Sequence, residues 1–196
     1  MVTSGSEIFD PLTGQRTIIR KTGADTGGAY VEMESFHRAH VPAEPMHVHP
    51  FQESSFQMLS GTLHVQIADR VIIIGPGERV EIPRNVPHTF WNDGDEEARE
   101  IQVFRPALNI DDFFATYFAL TQAGRINDAG MPKSIFLLAV LMQEYDRVMR
   151  VMEPARWMQV LLMRVLGPIG RLLGYHKQIR DATVARQPPA IAPITR

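Results

Sequence analysis

Two histidines stand one residue apart in Pro45-Met46-His47-Val48-His49. On an extended chain, residues i and i+2 point to one face, so both imidazoles can reach a common point. A third histidine, His88, follows the turn-forming stretch Pro83-Arg84-Asn85, where Asn85 tolerates the left-handed backbone such a turn needs. If the two strands are neighbours, the three imidazoles converge. That donor set suits one borderline divalent ion: Fe, Mn, Ni, Cu or Zn. A lone His-x-His is often incidental, and a histidine after a proline means little by itself. The joint pattern with its glycines and prolines is what points to a metal.

The first acid after the pair is Glu53. Strand alternation puts Ser54, Phe56 and Met58 on one side and Glu53, Ser55 and Gln57 on the other. Pro50 interrupts the strand just upstream, which leaves room for Glu53 to turn inward as fourth ligand or proton shuttle. Phe56, Met58 and Phe90 have the parity of the histidine face and are candidate pocket residues, with Met33, Ser35 and His37 as further inward positions. The competing reading is that they fill the barrel, as small barrels require. His40, His64 and His176 are expected at the surface or in loops. Cysteine is absent, which excludes disulfides, thiolate ligands and a cysteine nucleophile.

The elements that must position these residues change in character along the chain. From Ile8 to Phe104, β-rich runs over 15–21, 29–37, 55–59, 62–68, 70–74, 79–82, 88–91 and 99–104 alternate with Gly, Pro, Asn and Asp. Many short strands at this spacing predict a sandwich or barrel. After Pro106 the period becomes helical, with helices expected over 111–122, 132–152 and 154–166, a break at Gly167-Pro168, and a short segment to Tyr175. The division is a barrel over 1–108, a helical extension over 109–176, and a tail over 177–196 that is expected to be flexible.

The spacing of the histidines resembles the cupin superfamily. That family's first motif runs His-x-His, three or four residues, Glu, six residues, Gly; here His47, His49 and Gly61 fit it. Its second runs Gly, five residues, Pro-x-Gly, two residues, His, three residues, Asn; Gly77, Pro83, His88 and Asn92 fit, with Asn85 in place of the glycine. The departure lies at the acid: counting back from Gly61 gives Ser54, while counting forward from His49 by the shorter gap gives Glu53. The resemblance implies a mainly β protein, a cupin-type double-stranded β-helix (jelly-roll) barrel, followed by a C-terminal α-helical extension. It also implies that His47, His49 and His88 are metal ligands, with Glu53 as the fourth in many members and absent in those with three-histidine centres.

Function follows as expectation. The leading reading is a mononuclear metalloenzyme acting on a small organic molecule, dioxygenase-like, and hence an oxidoreductase. The alternatives are a cupin isomerase or cyclase using the metal as Lewis acid, and a non-catalytic cupin binding a small ligand with a structural or docking metal. A net charge of -2 gives no field to recruit nucleic acid, and no helix-turn-helix is legible. The broad apolar faces at 135–152 and 157–173 are interrupted by charge, so packing on the barrel or on a second subunit is favoured over membrane contact, and a homodimer is expected. Met1 to Glu7 lacks the basic start and apolar run of a signal peptide, so a cytoplasmic location is expected.

Overall fold

A computed structural model describes residues 2–184. In chain order the strands are β1 (Glu7–Phe9), β2 (Arg16–Lys21), β3 (Val31–His37), β4 (His47–Val48), β5 (Glu53–Ser60), β6 (Leu63–Ile67), β7 (Arg70–Ile74), β8 (Arg79–Ile82), β9 (His88–Trp91) and β10 (Ala98–Arg105). The helices α1 (Ile110–Gln122) and α2 (Ile135–Tyr145) follow, then β11 (Arg150–Val151), α3 (Arg156–Leu172) and α4 (Tyr175–Val184). The strands form an antiparallel six-stranded sheet, β1-β2-β3-β10-β5-β8, and a five-stranded sheet, β11-β4-β9-β6-β7. This is the sandwich or barrel that the turn spacing predicts, in the jelly-roll form that the family resemblance implies, with a helical extension.

Alternation makes the interior. Met33, Ser35 and His37 of β3, Ser54, Phe56 and Met58 of β5, and Ala98, Glu100, Gln102 and Phe104 of β10 are all buried. One cluster inside the barrel contains Phe56, Met58, Leu63, Val65, Ile82 and Phe90. A second joins the barrel to the helices, with Ile19, Met33 and Phe104 packed in common with Ile110, Leu120, Leu137, Val140, Tyr145 and Val148. At about 1.5–3 kcal/mol for each large side chain removed from water, that shared cluster holds the extension to the sheet.

Two expectations about the helices are corrected. The stretch expected as one helix over 132–152 is capped by Ser134, whose Oγ accepts from Leu137 N, and it ends at Tyr145. Arg150–Val151 instead pairs with β4, so the chain returns to the sheet. Tyr145, Val148 and Met149 keep helical spacing because one side of this segment faces the common core, whether helical or not, while Met152 is exposed. The break expected at Gly167-Pro168 does not occur, since α3 runs through Pro168. Pro168 lies on the exposed side, while Met163, Gly167 and Gly170 are buried. That close packing on α2 offsets the missing amide donor, which costs about 3 kcal/mol in a free helix. The tail expected to be flexible lies mostly outside the described residues, although α4 carries regular helix into its first part, to Val184.

The α2–α3 contact has no slack. A Cβ on Gly170 meets Val140 Cγ2 at 2.8 Å and the Phe136 carbonyl oxygen at 2.9 Å. Gly170→Ala is therefore expected to destabilise the fold by about 1–3 kcal/mol, despite gaining up to ~1 kcal/mol in helix propensity. Chemical denaturation of the variant checks this; equal or higher stability would mean that the two helices separate freely.

Candidate metal centre

His47 and His88 sit directly opposite each other on β4 and β9, and His49 follows two residues beyond His47. The local turn is as the sequence requires: Asn85 has φ +62°, and its N–H donates to the His49 carbonyl at 2.8 Å, which ties the β8–β9 turn to the second histidine. The three ring centroids lie 4.4 to 5.2 Å apart. One nitrogen from each ring lies within 4.8 Å of the others.

Each imidazole is oriented by the same device. Nδ1 of His47 donates to the Pro45 carbonyl (2.9 Å), Nδ1 of His49 to the Val148 carbonyl (2.5 Å), and Nδ1 of His88 to the Val86 carbonyl (2.8 Å). A carbonyl only accepts, so Nδ1 carries the proton in all three rings, and each Nε2 presents a lone pair. Nε2 of His88 is buried with no hydrogen-bond partner. Burial, and then repulsion among the rings, holds the His47 imidazolium well below its usual pKa and lowers His49 to about 3; burial also lowers His88. Three neutral imidazoles with converging lone pairs, one of them without a partner, fit a divalent cation.

Glu53 is not brought to this cluster. It opens β5 on the exposed side, whereas Gln52 and Ser54 are buried, and the cluster contains histidines alone. Alternation in β5 thus runs undisturbed past Pro50. Ser54 takes the inward position, its Oγ buried without a partner, and Gln52 donates to the Pro106 and Ala107 carbonyls. Phe56 and Met58 lie within the barrel cluster, together with Phe90.

The open space lies elsewhere. A cleft of about 530 Å³ runs between the barrel and the extension, reaching His47. One wall is the β3–β4 connection, including Val41, Pro42 and Glu44; the other is Phe113, Phe114, Tyr117 and Met149. Glu44, which the sequence reading did not single out, is half-buried there, and loss of hydration pushes its carboxyl up to about 7. Behind it, Nε2 of His37 lies 3.5 Å from Oε1 of the buried Glu100. Burial lowers His37 to about 4 and raises the Glu100 carboxyl well above its usual range. The aromatic run of α1 was the one available sign of this wall. Of the remaining histidines, His40 is exposed beside Asp95 and His64 stacks on Trp91.

Residues 38–104 match the model of the Cupin domain family. The chain thus carries a cupin domain, from the end of β3 to β10. Similar solved structures include the cupin domain of Cnp3 from Schizosaccharomyces pombe, at 14% identity over 47% of this chain and 64% of that one, TM-score 0.43. KdgF from Halomonas sp. is 13% identical over 53% and 91%, TM-score 0.47. The polyketide cyclase RemF from Streptomyces resistomycificus is 22% identical over 54% and 70%, TM-score 0.43. The match to the yeast domain spans less than two thirds of that chain's length. Comparison with curated proteins gives no match. Among the described residues, no helix is long and apolar enough to cross a membrane.

The buried titratable groups set a pH dependence for the metal-free protein. Between pH 4.5 and 6.5, His37, His47, His49 and His88 are lowered from 6.5, so each binds a proton more readily when unfolded, and stability rises with pH. Glu44 and Glu100 are raised from 4.5 and act in the opposite sense over the same window. Four groups against two leave a net rise of stability with pH across that window. Urea midpoints across that window check the sign; a flat or falling profile would contradict buried neutral imidazoles.

Proposed function

We propose that the protein is a mononuclear cupin metalloenzyme acting on a small organic molecule that is held in the cleft against His47. The observation that carries this is the set of three buried imidazoles, each with its Nδ1 proton given to a carbonyl. His47, His49 and His88 hold one divalent ion through Nε2. Three neutral donors leave its full charge for an anionic ligand, and the ion supplies Lewis acidity. The chain's own groups do the rest: Phe113, Phe114 and Met149 exclude water and orient the molecule, and Glu44 holds or releases a proton at its carboxyl. Dioxygenase-like oxidation is the leading reaction. Glu44, with a carboxyl titrating near 7, favours a second reading, isomerisation or cyclisation of an enolisable carbonyl compound with Glu44 as acid and base.

A homodimer is part of the same reading. Trp157, Leu161, Val165, Ile169 and Leu172 form an exposed stripe on α3 opposite the side that packs on α2. Sedimentation of the protein should give a dimer, and Leu161→Asp with Leu172→Asp should give a monomer; a dimer that survives both changes would assign the interface elsewhere.

The first test is elemental analysis of tag-free protein beside His88→Ala. Near-stoichiometric iron, manganese, nickel, copper or zinc, falling at least tenfold in the variant, is expected. No uptake after reconstitution would overturn the metalloenzyme. Oxygen uptake with a redox-active metal separates the dioxygenase-like reaction from isomerisation, which consumes none.

A further inference from the structure

The cleft has a side chamber. A second cavity, of about 100 Å³, shares Phe113, Tyr117, Met131, Met149 and Val151 with it as a common wall. Val151 is also the residue paired with His47 across β11 and β4. The chamber therefore starts beside the histidines and runs away from the barrel into the extension. Leu138, Leu141 and Met142 of α2 form its far side.

Most polar groups around the chamber are already engaged. Asp146 is bound by Arg150 and Arg156. The Tyr145 hydroxyl donates to Asp112 Oδ2. The Gln159 amide nitrogen donates to the Val151 and Pro154 carbonyls, while its Oε1 is buried without a hydrogen-bond partner. Apart from that amide oxygen the wall is paired or apolar, so the space favours hydrocarbon. The methionines on its wall adapt to more than one apolar shape. Asp10, Arg38, His40, Glu44 and Asp128 line the main cleft and not the chamber, whose own charged side chains, Asp146 and Arg150, pair with each other.

We propose that the ligand is an amphiphile, with an oxygen-donor chelating head at the His47 end of the cleft and an alkyl tail in the chamber of the extension. The head half rests on the reading of the histidines as a metal centre; the tail half rests on the chamber alone. The extension thereby sets which substrates the barrel can use.

The test is a length series of linear alkyl hydroxamic acids, from two to twelve carbons, titrated calorimetrically into metal-loaded protein. Affinity is expected to rise about fourfold per methylene until the chamber is full, and then to level off. Met142→Trp fills the chamber from a half-buried position. It should leave acetohydroxamate binding unchanged and abolish the gain with length. Leu138→Trp is the second variant, should the first fail to fold. Length-independent affinity, or a gain that survives both variants, would overturn the proposal. Should the chain take up no metal, 1-alkanols titrated into the metal-free protein still read the chamber. A length dependence there upholds the tail while the head fails, and its absence overturns the tail as well.

Discussion

The hydrogen bond from His49 Nδ1 to the Val148 carbonyl ties the rest of the molecule together. His47 and His88 find their carbonyls two residues back, at Pro45 and Val86, just ahead of their own strands. His49 finds its carbonyl 99 residues away. Without it, a buried Nδ1–H would lack an acceptor, or the ring would turn and bring the wrong nitrogen to the cluster, either way at a cost of about 1–3 kcal/mol. The helical extension therefore belongs to the site as much as the barrel does. Two further backbone contacts secure the same joint: β11 pairs with β4, and Met152 N donates to the Met46 carbonyl.

That constraint explains what was legible in the sequence and what was not. The histidines, the Pro83–Asn85 turn and the eight main strands are local patterns with short periods, and each could be read from its own residues. The acid at Glu53 was ambiguous because Pro50 allowed either register, and only the pairing of Ser54 with Phe104 and Ile82 fixes which residue turns inward. The short strand Arg150–Val151 carried no β signal of its own. Its apolar neighbours fall at helical spacing, and what makes it a strand is the open edge of β4, a long-range partner that no local window contains. The same holds for the Val148 carbonyl, since any residue type supplies one.

The interior also shows how a barrel can carry polar groups at modest cost. His37, Glu100, Ser35 and Thr17 form a buried layer beyond the metal site, with Thr17 and Ser35 hydrogen-bonded at 3.0 Å. Burial favours the uncharged form of both, the neutral imidazole of His37 and the protonated carboxyl of Glu100, which draws the layer towards no net charge. Glu44 stands between that layer and the cleft, near its own titration point. It can therefore change charge near neutral pH without charging the core behind it.

The cleft follows from the same seam. Two packed layers leave space only where their surfaces do not match, and here the mismatch falls between the β3–β4 connection and the aromatic run of α1. The barrel side supplies the nitrogen donors, set around the pairing of His47 with His88, and the carboxyl of Glu44 from the β3–β4 connection. The extension side supplies Phe113, Tyr117 and Met149, positions fixed by helix packing against Phe104 and Met33. Under the proposed function, the reacting groups and the groups that select the molecule reside on different elements, joined through one carbonyl. Changes in α2 can alter which molecules fit while leaving the ligand set intact, provided the turn that presents Val148 stays in place.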